Sequence, residues 1–231
     1  MRSIYDNITD VRRVISRGAM KAGRSPDEVQ LIVVTKTVGA AAIREAVESG
    51  IRAFGENRMQ EAKKKILSDE IQAMPEKLQW HLIGHLQKNK AKDAVQLFEL
   101  IHSVDSVELA EELNKQAEKI GKIQRILVQV KLSDEETKSG VIEKGLPELL
   151  KKIAQLKHLR LEGLMTIPPY RENVRDVIPY FRRLRELREE TAMDGFTLPE
   201  LSMGMSHDYE AAIEEGATMV RIGTAIFGER C

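Results

Sequence analysis

The stretch Leu31-Ile32-Val33-Val34-Thr35-Lys36-Thr37-Val38-Gly39 decides the fold of this chain. Its first five residues form a short apolar, β-branched run bounded by polar residues, which is the pattern of a buried strand. The turn after the strand is equally informative. A dinucleotide-binding sheet would place a glycine-rich turn there, and this turn offers only Gly39. A closed barrel is therefore favoured over an open Rossmann-like sheet. Lys36 stands at the strand's carboxyl end and projects toward the middle of the protein. Partial desolvation there would lower its pKa and favour the neutral, nucleophilic amine; the alternative is a lysine whose stem packs while its ammonium reaches water.

On either side of this run, the same alternation repeats. An amphipathic segment, 4–22, predicts an opening helix, and Ser25-Pro26-Asp27-Glu28 is a capping-box pattern with proline at the first helical position. Further strands are predicted near 53–57, 79–84, 100–105, 125–132, 159–167, 201–206 and 219–228, each separated from the next by a charged segment of helical period. Together with the Lys36 strand these make about eight β-α units. Ser106 is placed to cap a helix beginning at Val107, and Gly121 to end it. Unbroken alternation implies parallel strands with right-handed crossovers, so the expected fold is a single α/β barrel of the (β/α)8 type, with residues 1–231 as one domain and an extra helix at its start. The polar stretch 133–140 and the Pro168-Pro169-Tyr170-Arg171-Glu172-Asn173 loop suit barrel rims.

Composition excludes several classes of function. Lys and Arg together number 36, as do Asp and Glu, so no net field attracts nucleic acid or an anionic membrane. The one cysteine, Cys231, permits no intramolecular disulfide and no thiol cluster, which fits a reducing cytoplasmic compartment. The first residues are interrupted by charges, and no segment is apolar and long enough to span a bilayer. With balanced charge and no apolar seam, a monomer is expected.

In a parallel barrel the active face is the carboxyl end of the strands. That rule alone gathers Lys36, Asn57, the 81–87 region, Ser103, Asp105, Met165, Thr166, the 202–206 loop and the 221–224 loop around one mouth. Barrels also tend to hold phosphate through the loops after their last two strands. Here those loops are Met203-Gly204-Met205-Ser206 and Ile222-Gly223-Thr224, which offer hydroxyls and close-approaching amides; either glycine could also be a strand bend or bulge. Arg221 lies inside the apolar run Met219-Val220-Arg221-Ile222, so its guanidinium must find acceptors in the interior. It is either a structural salt bridge or a donor aimed at a heteroaromatic nitrogen. A Schiff-base lysine, a phosphate cradle and an interior arginine around one mouth describe a pyridoxal phosphate pocket.

At these residues the chain resembles the pyridoxal phosphate homeostasis protein family, also called YggS-like or proline-synthetase-co-transcribed homologues. The segments that carry the resemblance are Val33-Val34-Thr35-Lys36-Thr37, Phe54-Gly55-Glu56-Asn57-Arg58, Trp80-His81-Leu82-Ile83-Gly84-His85-Leu86-Gln87-Lys88-Asn89-Lys90, Gly163-Leu164-Met165-Thr166, Leu201-Ser202-Met203-Gly204-Met205-Ser206 and Val220-Arg221-Ile222-Gly223-Thr224-Ala225-Ile226-Phe227-Gly228. The resemblance implies a barrel similar to the amino-terminal domain of alanine racemase, with pyridoxal 5'-phosphate held as a Schiff base on Lys36. It further implies Arg221 at the pyridine nitrogen, Ser206, Gly223 and Thr224 at the phosphate, and Asn57 at or near the ring. One departure is Lys131, where the family pattern leads one to expect asparagine. The function implied is storage, protection and delivery of the cofactor, with pyridoxal phosphate-dependent enzymes as recipients. The alternatives are a small racemase-like enzyme of the same cofactor and a Schiff-base aldolase that uses Lys36 alone.

Arginine at the ring bears on the chemistry. A carboxylate partner keeps the pyridinium protonated and makes the ring a strong electron sink, whereas arginine disfavours protonation. Related racemases add a tyrosine base from a second domain, for which a chain ending at Cys231 leaves no room, and Tyr5, Tyr170, Tyr180 and Tyr209 are not obvious substitutes. A holding role is therefore expected over efficient turnover. His81 and His85 are four apart, but on a strand that spacing does not favour shared metal ligation. The charges of 182–190 pair at helical spacing, as on an exposed helix, while Met203 and Met205 are either core filler or ring contacts.

Overall fold

The computed structural model describes residues 3–133, 135 and 139–228, so the 229–231 tail with Cys231 and part of the 133–140 rim lie outside the described residues. The strands in chain order are β1 (Gln30–Val34), β2 (Ala53–Glu56), β3 (Gln79–Leu82), β4 (Leu100–Val104), β5 (Gln124–Lys131), the short β6 (Val141–Ile142), β7 (Leu159–Met165), β8 (Glu200–Met205) and β9 (Met219–Ile222). Apart from β6, which pairs with the end of β5, they form a ring of parallel neighbours that closes through β4 and β5. The expected (β/α)8 barrel is what the chain forms. Helices fill the crossovers, and the opening helix α1 (Ile4–Lys21) starts from a capping box on Ser3. No helix among the described residues is long and apolar enough to cross a membrane.

Strand alternation sorts the core into two parts. Outward residues such as Val33, Phe54, Leu82, Ile101, Leu164, Leu201 and Val220 pack under the helices in one large cluster. Inward residues Ile32, Ala53, Leu100, Leu127, Met165 and Met219 form a separate apolar plug inside the ring. Beside it, inward positions on β3, β4, β8 and β9 are polar, with His81, His102, Ser202 and Arg221 all buried.

Local details match the sequence closely, with one correction. Ser25 forms its capping box, although on a single 3-10 turn (Pro26–Glu28); Ser106 caps the helix Val107–Lys119, and Gly121 takes a left-handed φ of 64° beyond it. The strand expected over 219–228 stops at Ile222. Beyond that point the Gly223 and Ala225 amides turn to the Ser206 hydroxyl, and a short helix, Thr224–Phe227, takes over.

Candidate functional site

The inward face of β1 runs through Ile32 to Val34 and then to Lys36, so the strand's alternation carries the lysine to the barrel mouth. Lys36 is half-buried. The next residue, Thr37, adopts φ 61°, a left-handed conformation that costs a β-branched residue on the order of 1–3 kcal/mol. A partly buried network holds this turn from both sides. Thr37 N-H donates to the Glu61 carboxylate, while Lys65 donates to the Thr35 carbonyl at 2.5 Å. Lys65 also pairs with Glu56 at 2.5 Å and Glu61 at 3.1 Å, and the Thr35 hydroxyl donates to Glu56 at 2.7 Å. Burial pushes the Glu56 carboxyl above its ordinary pKa, and Lys65 and Thr35 pull it partway back. The residues on either side of Lys36 are thus tied to one charged cluster.

Asn57 comes directly after β2, and its side-chain oxygen is buried with no hydrogen-bond partner among the described residues. The segment after β3 presses directly on it. A Cβ on Gly84 would lie 2.2 Å from the Asn57 carbonyl oxygen, so only glycine allows that approach.

Beside Lys36, the loops after β8 and the neighbouring β9 meet. Gly204, with φ 92°, sits where the β8–β9 register shifts between Ser202 and Met205. The bulge reading of this glycine therefore holds, and the bulge re-aims the chain so that Met205 and Ser206 reach the mouth. The Ser206 hydroxyl oxygen accepts from Gly223 N-H at 3.3 Å and from Ala225 N-H at 3.2 Å. Thr224 begins the helix turn beside them.

Arg221 is 3% exposed and donates from Nη1 to Ser202 Oγ at 2.6 Å and from Nη2 to the Thr166 carbonyl at 2.8 Å. Its partners are a hydroxyl and a carbonyl, so the salt-bridge alternative is not the arrangement found. Burial lowers the guanidinium pKa to about 10, and the field of Asp208 opposes that shift. The arginine remains charged at neutral pH.

All six residues singled out for ligand binding, Lys36, Asn57, Ser206, Arg221, Gly223 and Thr224, line one cavity of about 230 Å³. Val34, Ile83, Ile167, Tyr170, Met205 and His207 complete its walls. Other mouth candidates act from behind: Ser103 donates to the Gly84 carbonyl at 2.7 Å, and Asp105 faces His85 at 3.7 Å. Met203 is buried core filler, whereas Met205 reaches the cavity. His81 points into the barrel interior and His85 toward Asp105, so the pair does not converge. Lys131 ends β5 and is not among the cavity walls.

Three features are not legible in the sequence. The Glu56–Glu61–Lys65 cluster leaves one trace there, an opposite-charge pair at i,i+4 just after β2. Tyr170 is no obvious site residue by pattern, yet the Pro168-Pro169 turn brings it to the cavity, where its ring lies 5.5 Å from that of His207. His102 leaves no pattern at all.

Comparisons with known proteins agree with this fold. The family model for the alanine racemase N-terminal domain matches residues 7–231. A pyridoxal phosphate homeostasis protein of Aquifex aeolicus is 46% identical over 227 residues, covering 97% of each chain. One from Escherichia coli K12 is 43% identical over 234 residues, covering all of this chain and 98% of its own. Among solved structures, PipY of Synechococcus elongatus with PLP bound superposes with a TM-score of 0.84 at 40% identity, covering 98% of this chain and 100% of its own. An alanine racemase of Clostridium difficile, at 16% identity and TM-score 0.74, shares the barrel fold over 97% of this chain and 57% of its own.

Proposed function

The chain belongs to the pyridoxal phosphate homeostasis protein family, and from that membership and its cavity we propose that it binds pyridoxal 5'-phosphate and serves intracellular storage, protection and delivery of that cofactor. The observation that carries the reading is the convergence of Lys36, Arg221 and the Ser206, Gly223 and Thr224 loops on one cavity. The residues fit the group. The buried, unpartnered Asn57 oxygen is an acceptor that a ring hydroxyl would satisfy, and the loop amides gathered at Ser206 are donors suited to a phosphate.

When bound, the cofactor supplies an aldehyde that condenses with an amine and releases one water. Lys36 is the amine, held at the mouth by the tethered Thr35 and Thr37. Ser206, Gly223 and Thr224 would hold the phosphate end, and Arg221 would present charged donors to the ring nitrogen, since all four line the same cavity as Lys36. A guanidinium there keeps that nitrogen unprotonated, which favours holding the ligand over driving carbanion chemistry. In this reading the protein is a cytoplasmic monomer that passes cofactor to pyridoxal phosphate-dependent enzymes. Incubation with the cofactor should produce the absorbance of a lysine-linked chromophore, and its absence in the purified, loaded protein would refute the proposal.

One observation favours a second reading, a small racemase-like enzyme: Tyr170 and His207 stand at the same cavity as Lys36. Steady turnover of a free amino acid, lost in both Lys36→Ala and Tyr170→Phe, would promote it.

A further inference from the structure

Four side chains form a line of hydrogen bonds through the barrel interior, and Arg221 is the member that reaches the cavity. His81 Nδ1 and His102 Nε2 are 3.0 Å apart, His102 Nδ1 and Ser202 Oγ are 2.8 Å apart, and Ser202 Oγ accepts from Arg221 at 2.6 Å. All are buried.

The sense of every bond is set by the arginine, which can only donate. With the Ser202 oxygen accepting from Arg221, its O-H is available for His102 Nδ1. His102 then carries its proton on Nε2 and donates to His81 Nδ1, which leaves the His81 proton on Nε2. That nitrogen is the one atom of the line without a partner among the described residues. The opposite sense would strand two groups, the Ser202 O-H and the His81 Nε2 lone pair. Each stranded buried group costs about 1–3 kcal/mol, so the first sense is favoured.

We infer that His81, His102 and Ser202 are positioning residues that solvate the buried charge of Arg221 with a line of aligned dipoles, and so fix the guanidinium as a fully charged donor toward the cavity. The inference rests on the reading in which Arg221 meets the cofactor ring. A carboxylate in the place of Ser202 would also stabilise the charge, but it would neutralise the field that reaches the ligand. Neutral groups whose lone pairs face the guanidinium do not, and each bond polarises the next. Both imidazoles must remain neutral for this. Burial holds His81 at about 3 and His102 well below its ordinary value, with the charge of Arg221 adding to the effect at His102.

Nitrogen NMR of the full chain, labelled in histidine and free of cofactor, reads the tautomers directly. At pH 7 both imidazoles should be neutral with protonated Nε2 and bare Nδ1. A protonated Nδ1 on His102 would overturn the inference. In Ser202→Ala, His102 should lose its single tautomer and the Kd for pyridoxal 5'-phosphate should rise about tenfold, the loss of one hydrogen bond to a charged group. Ser202→Thr, which keeps the hydroxyl, should restore the tautomer and most of the affinity. Unchanged affinity and chromophore spectrum in Ser202→Ala, or in His81→Gln should that variant fold poorly, would refute the positioning role. Were the parent protein to take up no cofactor, the functional reading would fall, while the tautomers would still decide whether the line exists.

Discussion

Along each barrel strand, outward side chains meet the helices and inward ones meet each other, and the two faces obey different rules. The outward face is largely apolar, with Phe54, Leu82, Leu164 and Val220 all in one cluster, and Glu56 and Ser103 are polar members near the strands' carboxyl ends. The inward face carries an apolar plug around Ile32, Leu127 and Met219, but it also carries His81, His102, Ser202 and Arg221 before opening at the cavity. In the proposed reading, stability rests mostly on the first face and ligand binding on the second. A substitution on one face should therefore leave the property of the other nearly unchanged.

The largest stability effect is expected on the outward face. Phe54 is wholly buried and its ring lies 5.4 Å from that of Trp80, so Phe54→Ala should cost about 4 kcal/mol in urea unfolding while the folded fraction still binds cofactor one to one. Next comes Gly84→Ala at the rim, where the new Cβ would meet the Asn57 carbonyl oxygen at 2.2 Å. It should cost about 3 kcal/mol and, unlike Phe54→Ala, also weaken cofactor binding, because Asn57 must move.

Inside the barrel, acid should be the sharper probe. An unfolded histidine titrates near 6.5, roughly its free value, whereas folded His81 is held at about 3. Below the unfolded value the unfolded chain therefore binds a proton that the folded chain refuses. The contribution is fully present at higher pH and is lost as pH falls toward the folded value. Between about pH 6.5 and 5 the loss should be about 2 kcal/mol, read as the difference between the stability curves of the parent and His81→Gln. Parallel curves would mean that His81 is accessible to protons in the folded protein. The smallest effect is expected on the outermost surface: Arg183→Ala on the helix Ile178–Met193 removes pairs with Glu143, Glu186 and Glu190 but should cost only about 0.5 kcal/mol, and the cost should shrink in high salt.

The same division explains what could be read from the sequence. Outward residues alternate with inward apolar ones in short β-branched runs such as Leu31 to Thr35, and turn residues such as Ser25, Ser106 and Gly121 act locally, so strands, caps and barrel closure were legible. Lys36, Arg221 and the Ser206 and Gly223 loops were legible because each ends or interrupts an apolar strand at a barrel's active end. The His81–His102–Ser202 line was not, since its members are 21 and 100 residues apart and only the ring of strands brings them into contact. Tyr170 is hidden for a related reason, because a loop's direction after two prolines is set by packing rather than by period. The end of β9 is overrun in a sequence reading because apolar residues continue through Ala225-Ile226-Phe227, where the amides have already turned to Ser206.

The central claim, that Lys36 covalently holds the cofactor in this cavity, is tested most directly by loading the protein with pyridoxal 5'-phosphate, reducing it with borohydride and mapping the adduct by mass spectrometry. The account predicts one phosphopyridoxyl group, on Lys36, and none in Lys36→Ala. Stoichiometric labelling of a different lysine, or a loaded protein with no reducible adduct, would contradict it.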